Sequence, residues 1–169
     1  EWLAQRWTER CGAEAAARWL APTLVPPLLV LRAHPAALAG GDGRAALEAE
    51  AIELRPSPWV AGAWRVADAS ALTTQAVRSG AFSVRSEAAQ MVLELLPPGG
   101  ERVLDAASGR GGKAIQLAEA EPGRPVFAVD IDWRRLRQAR RQARRAGTAV
   151  HALAADLTAL VPSTAAFDR

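Results

Sequence analysis

The sequence has few of the residues that build metal centres and disulfides. Cys11 is its only cysteine, and His34 and His151 are its only histidines. One cysteine excludes an internal disulfide and any multi-cysteine metal site in this stretch. Each histidine stands alone in apolar surroundings, so we expect both to be packing or surface residues. We therefore expect no bound metal.

Long apolar runs and a secretory signal are also missing. No run approaches the roughly 20 apolar residues that span a bilayer, and residues 1–7 (EWLAQRW) lack the basic-then-apolar pattern of a signal peptide. Half of the 169 residues are hydrophobic, which is enough for a buried core. These features predict a globular, cytoplasmic protein with no membrane partner.

Lysine is nearly absent, since Lys113 is the only lysine among 21 basic residues. Residues 1–96 carry 9 basic and 10 acidic groups, whereas residues 97–169 carry 12 and 8. A basic face favours an anionic partner such as nucleic acid, but an arginine run is also typical of the solvated side of a helix, and both interpretations stay open. Most of the excess lies in one segment, at Arg134, Arg135, Arg137, Arg140, Arg141, Arg144 and Arg145.

Residues 1–96 predict helices and short strands. An apolar stripe with a period of three to four predicts a helix over residues 1–20, which Gly12 divides in two. The rest favours an α+β region that ends at the PPGG segment, residues 97–100. Its predicted strands are 28–34, 52–55, 57–60, 63–66 and 81–84; a glycine turn at 40–43 leads into a helix to about Glu50, Ser70 or Thr73 caps a short helix, and Ser86 opens one that runs to Leu96.

Beyond this boundary the pattern alternates strictly between strand and helix. Strands are predicted at 102–105, 126–130 and 149–153, and helices at 112–119 and 133–146. This βαβαβ order is typical of a parallel, doubly wound sheet. Residues 167–169 (FDR) look like the start of a further strand. The fold class is therefore α/β: an incomplete Rossmann-like sheet preceded by a helical and small α+β region.

Three aspartates follow the three predicted strands. Asp105, Asp130 and Asp156 are 25 and 26 residues apart, which suits one strand, one helix and one turn per repeat. The carboxyl ends of parallel strands meet at one edge of the sheet, where open α/β sheets bind ligands. The spacing therefore predicts a nucleoside-binding crevice, although each aspartate alone also fits an N-cap or turn position.

A glycine-rich loop, SGRGGK at residues 108–113, connects the first strand to its helix. Glycines allow close approach of a ligand, and a helix N-terminus offers free N–H groups to an anion. The loop fails as a P-loop because Ala107 stands where the first glycine belongs and Ala114 follows Lys113. Gly109-x-Gly111-x-x-Ala114 loosely matches a dinucleotide fingerprint, so a nicotinamide-dependent oxidoreductase stays an alternative.

Asp105 distinguishes between these cofactors. A carboxylate just ahead of the loop would repel a pyrophosphate and would favour a cofactor that carries positive charge. S-Adenosylmethionine has an ammonium and a sulfonium for this place, ribose hydroxyls for Asp130 and an adenine amine for Asp156. The three aspartates together therefore favour S-adenosylmethionine.

Several segments together resemble the RNA cytosine 5-methyltransferases of the Sun/Fmu and Nop2 type: residues 57–59, 82–90, 103–114, 129–136, 155–156 and 167–169. The resemblance implies a methyltransferase that acts on RNA, and we expect this RNA to be ribosomal. It also implies that residues 1–96 form an RNA-binding region and that residues 97–169 form the first part of a cofactor domain. It implies that Asp130 binds the ribose and Asp156 the adenine end. The methionine portion would contact Ala107, Ser108, Gly109, Arg110, Gly111, Gly112 and Lys113. In the family, Ala-Pro stands directly before the Gly-Gly-Lys of this loop and Thr directly after it. Here Gly109-Arg110 and Ala114 occupy these positions.

The chemistry of such an enzyme needs a cysteine thiolate that adds to C6 of cytosine and activates C5. In the family that cysteine follows the fourth strand, and a second one assists release; neither has a counterpart in residues 1–169. Cys11, in an N-terminal helix, is not expected to replace it. We therefore expect this chain to bind the cofactor without catalysing. Without a fourth strand beside the first, residues 103–104 would present an unpaired apolar edge, so we expect this chain to be poorly stable alone. We expect the full-length protein to be a monomer. A non-catalytic RNA-binding homologue is the main alternative.

Overall fold

The structure, a computed structural model, describes residues 1–35, 43–96, 99–159 and 166–168. The chain begins with a helical pair, α1 (Trp2–Cys11) and α2 (Ala13–Leu20). Gly12 separates them with a φ of +82°, a conformation that glycine adopts without a Cβ penalty. The predicted division at this glycine is confirmed.

An antiparallel sheet follows, with strand order β2-β3-β1-β4. The strands are β1 (Leu29–Ala33), β2 (Leu54–Pro56), β3 (Ala63–Val66) and β4 (Phe82–Val84). The helices between and after them are α3 (Gly43–Glu48), α4 (Gln75–Ser79) and α5 (Glu87–Glu94). Leu31, Leu47 and Phe82 are buried at the centre of this part. The strand predictions around β1, β3 and β4 are confirmed.

Two local predictions in this part are wrong. Residues 57–60 form a turn instead of a strand, because the Ser57 hydroxyl accepts the backbone N–H groups of Trp59 and Val60, both at 3.1 Å. Thr74, and not Ser70 or Thr73, caps α4 by accepting the N–H of Val77 at 3.3 Å. Most of the predicted glycine turn, residues 40–42, lies outside the described residues.

The second part alternates strand and helix: β5 (Val103–Ala106), α6 (Gly112–Ala120), β6 (Val126–Asp130), α7 (Trp133–Arg145) and β7 (His151–Ala154). The strands are parallel in the order β5-β6-β7, as in a Rossmann-like methyltransferase sheet. The predicted α/β class is confirmed. An apolar stripe of α7 is buried, at Leu136, Ala139 and Ala143, and continues to Ala146 at the end of the helix.

Residues 166–168 lie beside the start of β5. The N–H of Asp168 donates to the carbonyl of Arg102 at 3.0 Å, and the Phe167 ring packs edge-on against Phe127 at 5.3 Å between centroids. The Asp168 carboxylate also accepts the N–H groups of Glu101 and Arg102. This segment therefore contacts the edge of β5 that the sequence predicts for a further strand.

The antiparallel and parallel parts are joined by polar contacts at two points, of which the first is buried. Glu119 of α6 accepts from Arg32 and from Nδ1 of His34, the latter at 2.5 Å. Both His34 and Glu119 have side chains at most 5% exposed. At a second point, Arg145 of α7 donates to the carbonyls of Val77 and Arg78 at the end of α4. His34 is thus a packing residue, as predicted, with a carboxylate partner.

Candidate cofactor site

The loop between β5 and α6 has a tightly wound backbone. Ala107, Gly109 and Gly111 have φ angles of +56°, +57° and +75°. A Cβ added to Gly111 would lie 2.6 Å from Cβ of Ala139 on α7, closer than real carbon atoms approach. Gly111 is therefore required both for the left-handed turn and for the close packing of α6 on α7.

Asp130 holds this loop in place from the end of β6. One carboxylate oxygen accepts the N–H of Gly109 at 2.8 Å and the other accepts the N–H of Asp132 at 2.9 Å. The hydrogen bond from Asp132, followed by that from Gly109, keeps the pKa of Asp130 below its usual range despite burial. A carboxylate has about four acceptor positions, so Asp130 can still accept from two hydroxyl groups.

Asp105 sits at the start of the same loop. Its carboxylate accepts the N–H of Ala114 in the first turn of α6, at 3.0 Å. Burial raises the pKa of Asp105, the charge of Lys113 opposes this increase, and the nearby charge of Asp130 adds to it. The ionised carboxylate thus lacks full compensation, and a cation bound beside it would be stabilised.

The first turn of α6 also offers free donors. The N–H groups of Gly112 and Lys113 have no acceptor among the described residues, whereas the next one, of Ala114, is bound to Asp105. Helix N-termini bind anions through such groups. A zwitterion with one carboxylate and one ammonium therefore suits the pair formed by this helix end and Asp105.

Asp156 lies two residues beyond the end of β7 and is exposed. It accepts the hydroxyl and the backbone N–H of Thr158, at 2.6 and 2.8 Å. The hydroxyl contact is the main reason that the pKa of Asp156 is lowered. In this structure Asp156 stabilises a turn, with its carboxylate accessible from solvent.

The strand register brings the three aspartates to one edge. Asp105 pairs with Ala128, one step before the end of β5, and Asp130 pairs with Ala154 at the end of β7. Asp105 and Asp130 are close enough to affect each other's charge, whereas Asp156 contacts neither of them. The glycine loop, from Ala107 to Lys113, runs along the same edge.

Sequence reasoning missed two supporting residues, Asp132 and Thr158. Asp132 caps α7 by accepting the N–H of Arg134 at 2.8 Å and gives its own N–H to Asp130. An aspartate directly before a segment with helical apolar periodicity is typical of an N-cap, so the sequence alone could have indicated Asp132. Within the described residues, no group of three histidine, cysteine or acidic side chains is arranged to hold a metal ion.

Comparison with known proteins finds methyltransferases among the proteins to which this chain is similar. A methyltransferase domain family model matches residues 103–169. Ribosomal RNA small subunit methyltransferase B of Xylella fastidiosa (strain Temecula1) is 36% identical over 143 residues, which cover 81% of this chain and 32% of that protein. The probable ribosomal RNA small subunit methyltransferase B of Bacillus subtilis is 28% identical over 155 residues, 90% of this chain and 35% of that protein.

The chain is therefore similar to methyltransferases of the Sun/Fmu type over most of its own length. The fold agrees, because the structure of NSun6 from Pyrococcus horikoshii with SFG superposes with a TM-score of 0.74 at 14% identity, over 94% of this chain and 66% of that one. This chain spans about a third of the length of the curated relatives it matches.

Two further features of this chain concern its cysteine and its helices. Cys11 is exposed on α1, and its Sγ contacts the carbonyl of Trp7 at 2.9 Å. It therefore has no contact with the aspartate edge. In the part of the chain that the structure describes, no helix is long and apolar enough to cross a membrane.

Proposed function

We propose that the protein is an S-adenosylmethionine-dependent methyltransferase that methylates C5 of cytosine in ribosomal RNA. The observation that carries the proposal is the zwitterion site at the β5–α6 loop, with free N–H groups at Gly112 and Lys113 and an undercompensated carboxylate at Asp105. The relatives named for methylation of small subunit ribosomal RNA support the substrate. Residues 1–96 would contact RNA, and residues 97–169 would belong to the cofactor domain.

Each group of the cofactor has a chemical counterpart at this edge. The methionine carboxylate would accept from the N–H groups at the start of α6, and the ammonium would lie at Asp105. The ribose hydroxyls would donate to the remaining acceptor positions of Asp130, and the adenine amine to Asp156. S-Adenosylmethionine supplies an electrophilic methyl group when bound. The loop residues Ala107, Ser108, Gly109, Arg110 and Gly111 would enclose the methionine portion.

A pyrophosphate cofactor fits this edge less well. The carboxylate of Asp105 lies at the start of the loop where the pyrophosphate of a dinucleotide would lie, and like charges at short range cost free energy. An oxidoreductase is therefore disfavoured. Cys11 is not proposed as the nucleophile, because it lies exposed on α1 and its thiol donates to the carbonyl of Trp7.

The test is a methyl-transfer assay on the full-length protein. Tritiated S-adenosylmethionine and unmodified small subunit ribosomal RNA are the substrates, and digestion of the RNA to nucleosides identifies the modified base. We expect label in 5-methylcytidine, and its loss in Asp130→Ala. Label in another nucleoside would overturn the cytosine C5 assignment. Full activity of Asp130→Ala would overturn the proposed ribose contact.

A further inference from the structure

A pocket of about 400 Å³ opens between the antiparallel part and the glycine loop. β4 and the residues directly before and after it form one wall, which includes Gly80, Ser83 and Arg85. Arg110 of the loop and Arg145 of α7 form the opposite wall. The pocket therefore joins residues from both parts of the chain, and Arg110 places one end of it at the glycine loop.

The pocket has a surplus of positive charge. Among the described residues, its walls contain three arginines and no acidic side chain. Arg145 is engaged by the carbonyls of Val77 and Arg78, whereas Arg85 and Arg110 form no ion pair with any described residue. The carboxylate of Glu119 acts on the charge of Arg85, but it is already bound to Arg32 and His34.

The guanidinium of Arg85 is confined at the start of α6. Its guanidinium lies against Gly112, so that a Cβ on that glycine would overlap it. Burial, followed by the neighbouring charge of Arg32, lowers the pKa of Arg85. A buried cation without a counterion costs free energy, and an anion in the pocket would remove that cost.

Ser83 adds an unused hydrogen-bond donor to the same wall. Its Oγ is buried and has no partner among the described residues. A buried hydroxyl without a partner loses hydration and gains nothing in return. A ligand with acceptor oxygens would satisfy this hydroxyl and both guanidinium groups together.

We propose that this pocket binds a phosphate group of the RNA backbone. The inference rests on the proposed function and adds to it a binding site for the substrate. A phosphate offers several acceptor oxygens and negative charge, which the fork of a guanidinium matches well. The bound phosphate would bridge Arg85 of the antiparallel part and Arg110 of the cofactor loop, and so fix the RNA relative to the loop.

The test measures RNA affinity of the full-length protein at several salt concentrations, by fluorescence anisotropy. The probe is a fluorescein-labelled transcript of small subunit ribosomal RNA. We expect Arg85→Gln to weaken binding about tenfold and to reduce the slope of log K against log salt by about 1. Ser83→Ala, which removes no charge, should weaken binding about threefold at an unchanged slope.

Arg55→Gln is the matched control. Arg55 is exposed on β2, at the opposite edge of the sheet from β4. It should bind RNA like the wild type. Circular dichroism and thermal melting verify that each variant is folded, and Ser83→Ala, which deletes one buried oxygen, keeps the test valid if Arg85→Gln does not fold.

Three results would overturn the proposal. The first is that Arg85→Gln and Ser83→Ala bind RNA with the same affinity as the control Arg55→Gln, while the wild type still transfers methyl groups to RNA. The proposed function would then stand, but this pocket would not bind the RNA. The second is inorganic phosphate that raises the Tm of the wild type but not of Arg85→Gln, with RNA affinity unchanged in both; the pocket then takes a free anion. The third is a wild type that binds no RNA, which overturns the RNA substrate as well.

Discussion

At the scale of single residues, the site depends on the contrast between two carboxylates 25 positions apart. Asp130 is stabilised in its ionised form by the N–H groups of Asp132 and Gly109. Asp105 is destabilised in its ionised form by burial, which raises its pKa. Asp130 therefore stays charged over a wide pH range, whereas the charge of Asp105 depends on pH and on a bound cation.

This contrast predicts a pH dependence of cofactor binding. The ammonium of S-adenosylhomocysteine stabilises the ionised form of Asp105, so affinity should rise as the pH increases through the raised pKa of Asp105, and fall on the acid side. Isothermal titration calorimetry at a series of pH values measures this. Asp105→Asn should bind weakly with a flat profile over this range.

Asp156→Asn is the control for that series. The pKa of Asp156 is lowered by the Thr158 hydroxyl, so its titration lies at more acidic pH than that of Asp105. The variant should keep the wild-type pH profile. A wild-type profile without any acid-side decrease, or an Asp105→Asn profile that keeps it, would contradict the role given to Asp105.

Asp130 also predicts how stability depends on pH. Because its folded pKa is depressed, it contributes to stability above its unfolded pKa, and that contribution is lost as the pH falls through the folded pKa. Urea unfolding of the wild type and Asp130→Asn should differ most near neutral pH and converge in acid. A constant difference down to the lowest pH would contradict this.

At the scale of elements, the glycine loop determines how α6 packs on α7. Gly111 combines a φ of +75° with a contact that leaves no room for a Cβ beside Ala139. Gly111→Ala should lower the free energy of unfolding by about 2–4 kcal/mol, the sum of left-handed strain and overpacking. Chemical denaturation measures the loss.

Gly109 provides the comparison within the same loop. Its φ is +57°, but a Cβ there would meet nothing within 4 Å. Gly109→Ala should therefore cost only the conformational strain, about 1–2 kcal/mol. Equal losses of stability in both variants would mean that the contact with Ala139 contributes nothing. Adding Ala139→Gly should recover part of the stability lost in Gly111→Ala, but none of the stability lost in Gly109→Ala.

Some helices and strands could be predicted from the sequence, and others could not. The bounds of β6, the buried stripe of α7 and the common edge of the aspartates all follow from short-range periodicity. The turn at residues 57–60 was missed because the Ser57 side chain competes for backbone N–H groups that a strand would have used. The contact of His34 with Glu119, 85 residues apart, has no local signal.

At the scale of the whole molecule, one buried carboxylate connects the two parts. Glu119 accepts from Arg32 and His34, with 4% of its side chain exposed. Glu119→Gln removes the negative charge and leaves two donors buried, so it should lower the free energy of unfolding by about 3 kcal/mol. Urea unfolding followed by tryptophan fluorescence measures the effect.

Glu48→Gln is the control for this change. Glu48 pairs with Arg44 on the surface of α3, with 48% of its side chain exposed. Loss of such a pair costs about 0.5 kcal/mol or less. If Glu119→Gln shifted the unfolding midpoint no more than Glu48→Gln does, the antiparallel and parallel parts would not be coupled through Glu119.

Binding of S-adenosylmethionine at the edge formed by Asp105 and Asp130 can be measured by calorimetric titration of the full-length protein with S-adenosylhomocysteine. NADH serves as the competing ligand, and Asp130→Ala as the site variant. We expect one S-adenosylhomocysteine per chain, no heat from NADH, and loss of binding in Asp130→Ala. Binding of NADH, or S-adenosylhomocysteine affinity that Asp130→Ala leaves unchanged, would contradict this expectation.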